Sequence, residues 1–107
     1  MDSSLAISLL KAHKEELTSR FGVRALALFG SVSRNTASTA SDIDILVDFD
    51  GPATSARYYG LQFFLEDLLG LPVDLVTSKA LRAELRPHIE RDAINVWRIA
   101  ARVAFLY

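Results

Sequence analysis

A single α/β domain is the fold class the sequence predicts, and three observations predict it. Apolar stripes at helical spacing alternate with short strand-like apolar runs, Gly and Pro punctuate the joins between them, and the chain has 107 residues. A chain of that length buries one core and has little left for a second domain, so residues 1–107 are expected to form one unit. Half the residues are hydrophobic and 23% are charged, the composition of an ordered globule rather than a disordered segment.

Ser3 or Ser4 can cap a first helix, in which Leu5, Leu9, Ala12, Leu17 and Phe21 recur at roughly helical spacing before Gly22 supplies a left-handed stop. Val23 to Phe29 is apolar except at Arg24, the pattern of a strand covered on both faces, and it ends at Gly30-Ser31. Residues 32–41, VSRNTASTAS, are too small and polar to build core and read as a surface loop. Ile43 to Phe49 is a second strand, closed by a turn at Asp50-Gly51-Pro52. Thr54 or Ser55 then caps a helix whose stripe of Leu61, Phe64, Leu65 and Leu68 ends at Gly70. Val73 to Thr77 is a third, β-branched strand. Ser78 can cap a segment holding Leu81, Leu85 and Ile89, which Pro87 splits into two short helices. From Ala93 to Tyr107 helix and strand templates fit equally well.

Composition narrows the function classes. A net charge of −1 offers no broad basic field, so direct nucleic-acid binding is not expected. Without cysteine there are no disulfides, thiol nucleophiles or thiolate zinc sites. The start MDSSLAISLLKAHKEEL has neither the flanks nor the apolar length of a secretory signal or a membrane span, and a cytoplasmic location is the expectation.

Two aspartates one residue apart in the second strand are costly, because like charges side by side repel and neither is easily desolvated. Side chains alternate across a strand, so Asp42 and Asp44 share a face opposite Ile43, Ile45 and Val47, with α-carbons about 6.6 Å apart. Carboxylates at that spacing can lean together over cations, and two-metal sites hold their ions about 3.5–4 Å apart. Mg²⁺ is suited to such a pair, since it prefers carboxylate, water and phosphate oxygens. An isolated Asp-x-Asp is more often a solvated strand end. Gly30-Ser31 behind it changes the weighting, because a glycine at a strand end lets backbone N–H groups approach an anion and a serine adds a donor. Asp74, at the second position of the third strand, can join the cluster as general base if its strand neighbours the first two. Three such acids and a Gly-Ser turn suit phosphoryl or nucleotidyl transfer to a hydroxyl.

The full set, Gly30-Ser31, Arg34, Ser41-Asp42-Ile43-Asp44, Leu46-Val47-Asp48-Phe49 and, after a helix, Val73-Asp74-Leu75-Val76-Thr77, resembles the minimal nucleotidyltransferases (MNT) of the DNA polymerase β superfamily. Within that group it is similar to the antitoxin component of HEPN/MNT toxin–antitoxin pairs, over roughly residues 20–97. The resemblance implies a small mixed β-sheet flanked by helices, Mg²⁺ held as two ions by Asp42, Asp44 and Asp74, and triphosphate contacts at Gly30 and Ser31. It further implies ATP as donor, and AMP transferred to a tyrosine hydroxyl of a HEPN partner with release of pyrophosphate. A hetero-oligomer with that toxin is expected. Arg34 matches the arginine usual in this loop, where it can meet a triphosphate oxygen or the partner. Asn35 stands where many members carry glycine, and asparagine takes positive φ less freely, so a less mobile loop is expected. The alternatives are an antitoxin that acts by binding alone and a nucleotidyl transfer to a small-molecule hydroxyl.

Other residues fit plainer roles. Asp48 shares the face of Asp42 and Asp44 but lies about 13 Å beyond Asp44, and reads as a solvent-facing strand end. His13 and His88 have no metal-like spacing. Tyr58, Tyr59, Phe63 and Phe64 fit a nucleotide pocket or, as is commoner for an aromatic stripe, the core. Trp97 and the terminal Phe105-Leu106-Tyr107 fit a partner surface or ordinary packing, the commoner of the two.

Overall fold

The computed structural model describes residues 2–30, 43–81, 83–84 and 86–99. Within them run α1 (Ser3–Ala12), α2 (Lys14–Phe21), β1 (Val23–Phe29), β2 (Ile43–Phe49), α3 (Ser55–Leu69), β3 (Val73–Thr77), a 3₁₀ turn (Ser78–Ala80), α4 (Arg86–Asp92) and β4 (Ile94–Arg98). The three strands expected from the sequence have the bounds read from their apolar runs. The uncommitted stretch after Ala93 supplies a fourth, β4, and residues 100–107, with the Phe-Leu-Tyr end, lie outside the described residues.

The first helix is not continuous. His13, with φ −111° and ψ 18°, breaks it into α1 and α2. Its ring Nδ1 bonds the Leu9 carbonyl at 2.9 Å, so the side chain occupies a backbone group near the break. The cap of α1 is Asp2 rather than Ser3 or Ser4: its Oδ1 accepts from Leu5 N–H at 2.9 Å, and a carboxylate there also faces the positive end of the helix dipole. Gly22 and Gly70 end α2 and α3 in the left-handed conformation, at φ 70° and 73°. Thr54 caps α3 by accepting from Arg57 N–H at 3.2 Å. After β3 the cap is Thr77, not Ser78, and it opens a single 3₁₀ turn ahead of α4. The two short helical pieces expected here are present, but the split falls ahead of Pro87, which sits in the first turn of α4, where its missing N–H costs nothing.

The sheet has the order β3-β2-β1-β4. β1 pairs antiparallel with β2 and β4, and β2 pairs parallel with β3, so the sheet is mixed. One face carries the core: Leu26, Leu28, Ile43, Ile45, Val47, Val73 and Leu75 pack with Ala6, Leu10, Leu17 and Phe21 of α1 and α2 and with Leu61, Leu65 and Leu69 of α3. The small side chains of Ala25 and Ala27 lie on the other face, in a hollow bordered by Ser78 and Ala93. No helix among the described residues is long and apolar enough to cross a membrane.

Candidate active site

β2 alternates without interruption: Ile43, Ile45, Val47 and Phe49 are buried, whereas Asp44, Leu46 and Asp48 are half-buried on the opposite face. β3 does the same, with Val73 and Leu75 in the core and Asp74 exposed. Both alternations arise because one face of the sheet is covered by helices. The parallel register sets Asp44 directly beside Asp74, on neighbouring strands about 4.8 Å apart. Two of the three acids singled out in the sequence are therefore adjacent on the open face. Asp42 lies outside the described residues, as do Ser31, Arg34 and Asn35.

Gly30 comes directly after β1, whose last residue, Phe29, is the register partner of Asp44. Its φ of 72° is open to glycine at little cost, and a Cβ at this position would overlap the Asp44 carboxylate. Gly30 is thus packed against the acid of β2, which holds its main chain and the carboxylate together at one end of the sheet. Hard oxygen donors on adjacent strands fit Mg²⁺. Among the described residues this is an open face, not a deep pocket. The neighbouring hollow, lined by Ala25, Ala27, Leu46, Asp48, Ser78, Asn95 and Arg98, has a volume of about 170 Å³, below the roughly 300 Å³ of a small-molecule site.

Asp48 is not solvent-facing as expected. Its side chain is only 13% exposed and takes two bonds from Arg24, from Nη2 at 2.7 Å and Nε at 3.2 Å. The cause is pairing: β1 runs antiparallel to β2 with Ala25 opposite Asp48, which brings the cation of the adjoining residue to the carboxylate. Arg24 was visible in the sequence as the lone charge in an apolar strand, but its partner 24 positions away was not. The His13 ring bonds the Leu9 carbonyl and meets Phe64 edge-on; the side chain of His88 lies outside the described residues. The aromatic stripe divides. Tyr58 and Phe64 pack against the core, whereas Tyr59 and Phe63 are exposed. Trp97 is buried in the core.

Burial raises the pKa of the Tyr58 hydroxyl, and the negative charge of Asp74 and then the neighbouring Tyr59 raise it further. A neutral phenol thus stands close to the exposed acid of β3.

The sequence profile of the nucleotidyltransferase domain matches residues 10–98. The chain belongs to the nucleotidyltransferase family. Its relatives include the protein adenylyltransferase MntA of Thermococcus cleftensis, 44% identical over 89 residues that make up 83% of this chain and 90% of that one. A solved structure provisionally described as a minimal nucleotidyltransferase is 37% identical, with a TM-score of 0.68 over 88% of this chain and 95% of that chain. The same fold recurs at 21% identity, with a TM-score of 0.65 over 89% of this chain and 71% of that chain, in a structure of a tri-AMPylated Shewanella oneidensis HEPN toxin with an MNT antitoxin. The mixed sheet flanked by helices is the fold of this family, and Asp44 and Asp74 occupy the open face of this nucleotidyltransferase.

Proposed function

We propose that this nucleotidyltransferase is an antitoxin that transfers AMP from ATP to a tyrosine hydroxyl of a HEPN-family toxin, with which it assembles in the cytoplasm. The observation that carries the reading is the adjacency of Asp44 and Asp74 on parallel strands, with the Gly30 main chain against Asp44. Similarity to a protein adenylyltransferase over most of both chains supports the choice of AMP donor and of a protein acceptor.

In this reading Asp42, Asp44 and Asp74 hold Mg²⁺, as two ions, and Gly30, Ser31 and Arg34 take the triphosphate. Bound Mg²⁺ supplies positive charge that screens the triphosphate and favours the ionised nucleophile. Asp74, the most exposed of the described acids in the cluster, takes the proton of the incoming tyrosine hydroxyl. The tyrosine oxygen then bonds to the α-phosphorus of ATP, the bond from that phosphorus to the bridging oxygen of the β-phosphate breaks, and pyrophosphate leaves.

The test is incubation with labelled ATP, Mg²⁺ and the product of the adjacent gene, with Asp42→Asn/Asp44→Asn as control. Label on a partner tyrosine that disappears with the double variant is the expected result. Full neutralisation of the toxin by the double variant, with label on neither protein, would establish binding alone as the antitoxin activity. Label on a small hydroxyl acceptor but not on the protein would move the reaction to a different substrate.

A further inference from the structure

Among the described residues β3 is an edge strand, paired with β2 on one side only. The outer N–H and C=O groups of such a strand need other partners. Here α3 supplies three of them in order. Glu66 Oε2 accepts from Val73 N–H at 2.9 Å, Gln62 Nε2 donates to the Val73 carbonyl at 3.1 Å, and the Tyr58 hydroxyl donates to the Leu75 carbonyl. Positions 58, 62 and 66 are four apart and so form one stripe along the helix. The donor and acceptor of each side chain match the strand group opposite it.

The backbone groups held in this way belong to Val73 and Leu75, the residues on either side of Asp74. The strand needs the support. Parallel pairing is the weaker kind, and β3 is only five residues long. A carboxylate that serves a metal and a nucleophile has to sit within about 0.5 Å of its working place. We propose that Tyr58, Gln62 and Glu66 are positioning residues that hold Asp74 beside Asp44 by gripping the main chain of Val73 and Leu75. The proposal rests on the reading of Asp74 as a member of the metal-binding cluster. Because the Tyr58 phenol stays neutral, it remains a donor across the physiological range.

The experiment compares Tyr58→Phe, Glu66→Leu, Glu66→Gln and Asp74→Asn with the unaltered chain. Three quantities are read: hydrogen exchange at the Val73 amide, affinity for Mn²⁺ in the presence of AMP-PNP by electron paramagnetic resonance, and kcat and KM for ATP in the transfer reaction. Glu66→Leu should speed Val73 exchange. It and Tyr58→Phe should each weaken Mn²⁺ binding about tenfold, the usual size of an effect from a group behind a ligand, and lower kcat more than they change KM. Glu66→Gln keeps an oxygen acceptor for Val73 N–H and should recover most of both losses. Faster exchange at Val73 with Mn²⁺ affinity and kcat unchanged would overturn the proposal, since the stripe would then be only an edge cover. Asp74→Asn distinguishes a failure of positioning from a failure of the site. If it loses Mn²⁺ binding while the stripe variants keep it, positioning alone is refuted; if it binds Mn²⁺ like the unaltered chain, the reading of the site falls and the proposal with it.

Discussion

Asp44 and Asp74 are register partners on adjacent parallel strands, so two carboxylates face the same side of the sheet about one strand spacing apart. Asp74 is exposed, so it can lose its charge without breaking any packing. Asp74→Asn is therefore expected to lower the transfer rate at least about a hundredfold, the lower end of what a positioned general base supplies, while its thermal midpoint stays level or rises by a few degrees. A transfer assay paired with a melting curve checks both; a fall in both together would mean that Asp74 supports the fold.

The same pair should couple stability to ligand. Mg²⁺ with AMP-PNP binds only the folded chain in this reading, so a hundredfold excess over the dissociation constant adds about 2.7 kcal/mol. The melting temperature of the unaltered protein is expected to rise by about 10 °C or more under those conditions. With Asp44→Asn the rise should largely vanish, and an equal rise in the variant would remove Asp44 from the site.

Gly30 is held at φ 72° with the Asp44 carboxylate where a Cβ would be. Gly30→Ala combines a backbone cost of about 1–2 kcal/mol with displacement of that carboxylate. Both the melting temperature and the transfer rate should fall, the rate further than the loss of folded protein explains. Gly70→Ala is the control: its φ is 73° and nothing lies within 4 Å of the added carbon, so it should share the stability loss and spare the rate.

How far the sequence could be read depends on the range of the interactions. Strand bounds were legible because apolar runs stop at Gly22, Gly30, Asp50-Gly51-Pro52, Gly70 and Pro72, all local signals. The break at His13 was not, since the apolar residues keep helical spacing across it and the side-chain bond to Leu9 leaves no mark in composition. β4 was ambiguous because Ile94, Val96 and Trp97 suit either template until β1 offers its edge. That Asp74 is a neighbour of Asp44 was a conditional reading, because pairing between strands separated by a helix is set by the whole core. The same holds for Arg24 and Asp48, and for the stripe of Tyr58, Gln62 and Glu66, whose polarity suggests solvent until the strand edge is in place.

Arg24 and Asp48 form a half-buried ion pair with two hydrogen bonds to one carboxylate oxygen. It lies down β2 from Asp44, and its role is to neutralise an acid on the open face. Arg24→Ala and Asp48→Ala should each cost about 1 kcal/mol, and a double-mutant cycle should return a coupling near 0.5–1 kcal/mol. Transfer activity of the remaining folded protein is expected to stay within a few-fold of the original. A hundredfold loss in Asp48→Ala at unchanged melting temperature would instead place Asp48 in the metal-binding cluster.

Stability at high pH should depend on the Tyr58 hydroxyl. Its pKa in the folded chain is raised, chiefly by burial and then by the charge of Asp74, above the ordinary tyrosine value near 10. The folded state therefore binds this proton more tightly than the unfolded state does. Stability from the group is complete below the ordinary value and declines as pH rises from there through the raised one. Ionisation also removes the donor to the Leu75 carbonyl and sets a third negative charge near Asp74. Urea unfolding at intervals above pH ~9 should show a steeper loss of stability in the unaltered chain than in Tyr58→Phe, with the two curves parallel below that range. Equal slopes throughout would mean that Tyr58 ionises as freely in the folded chain as in the unfolded one.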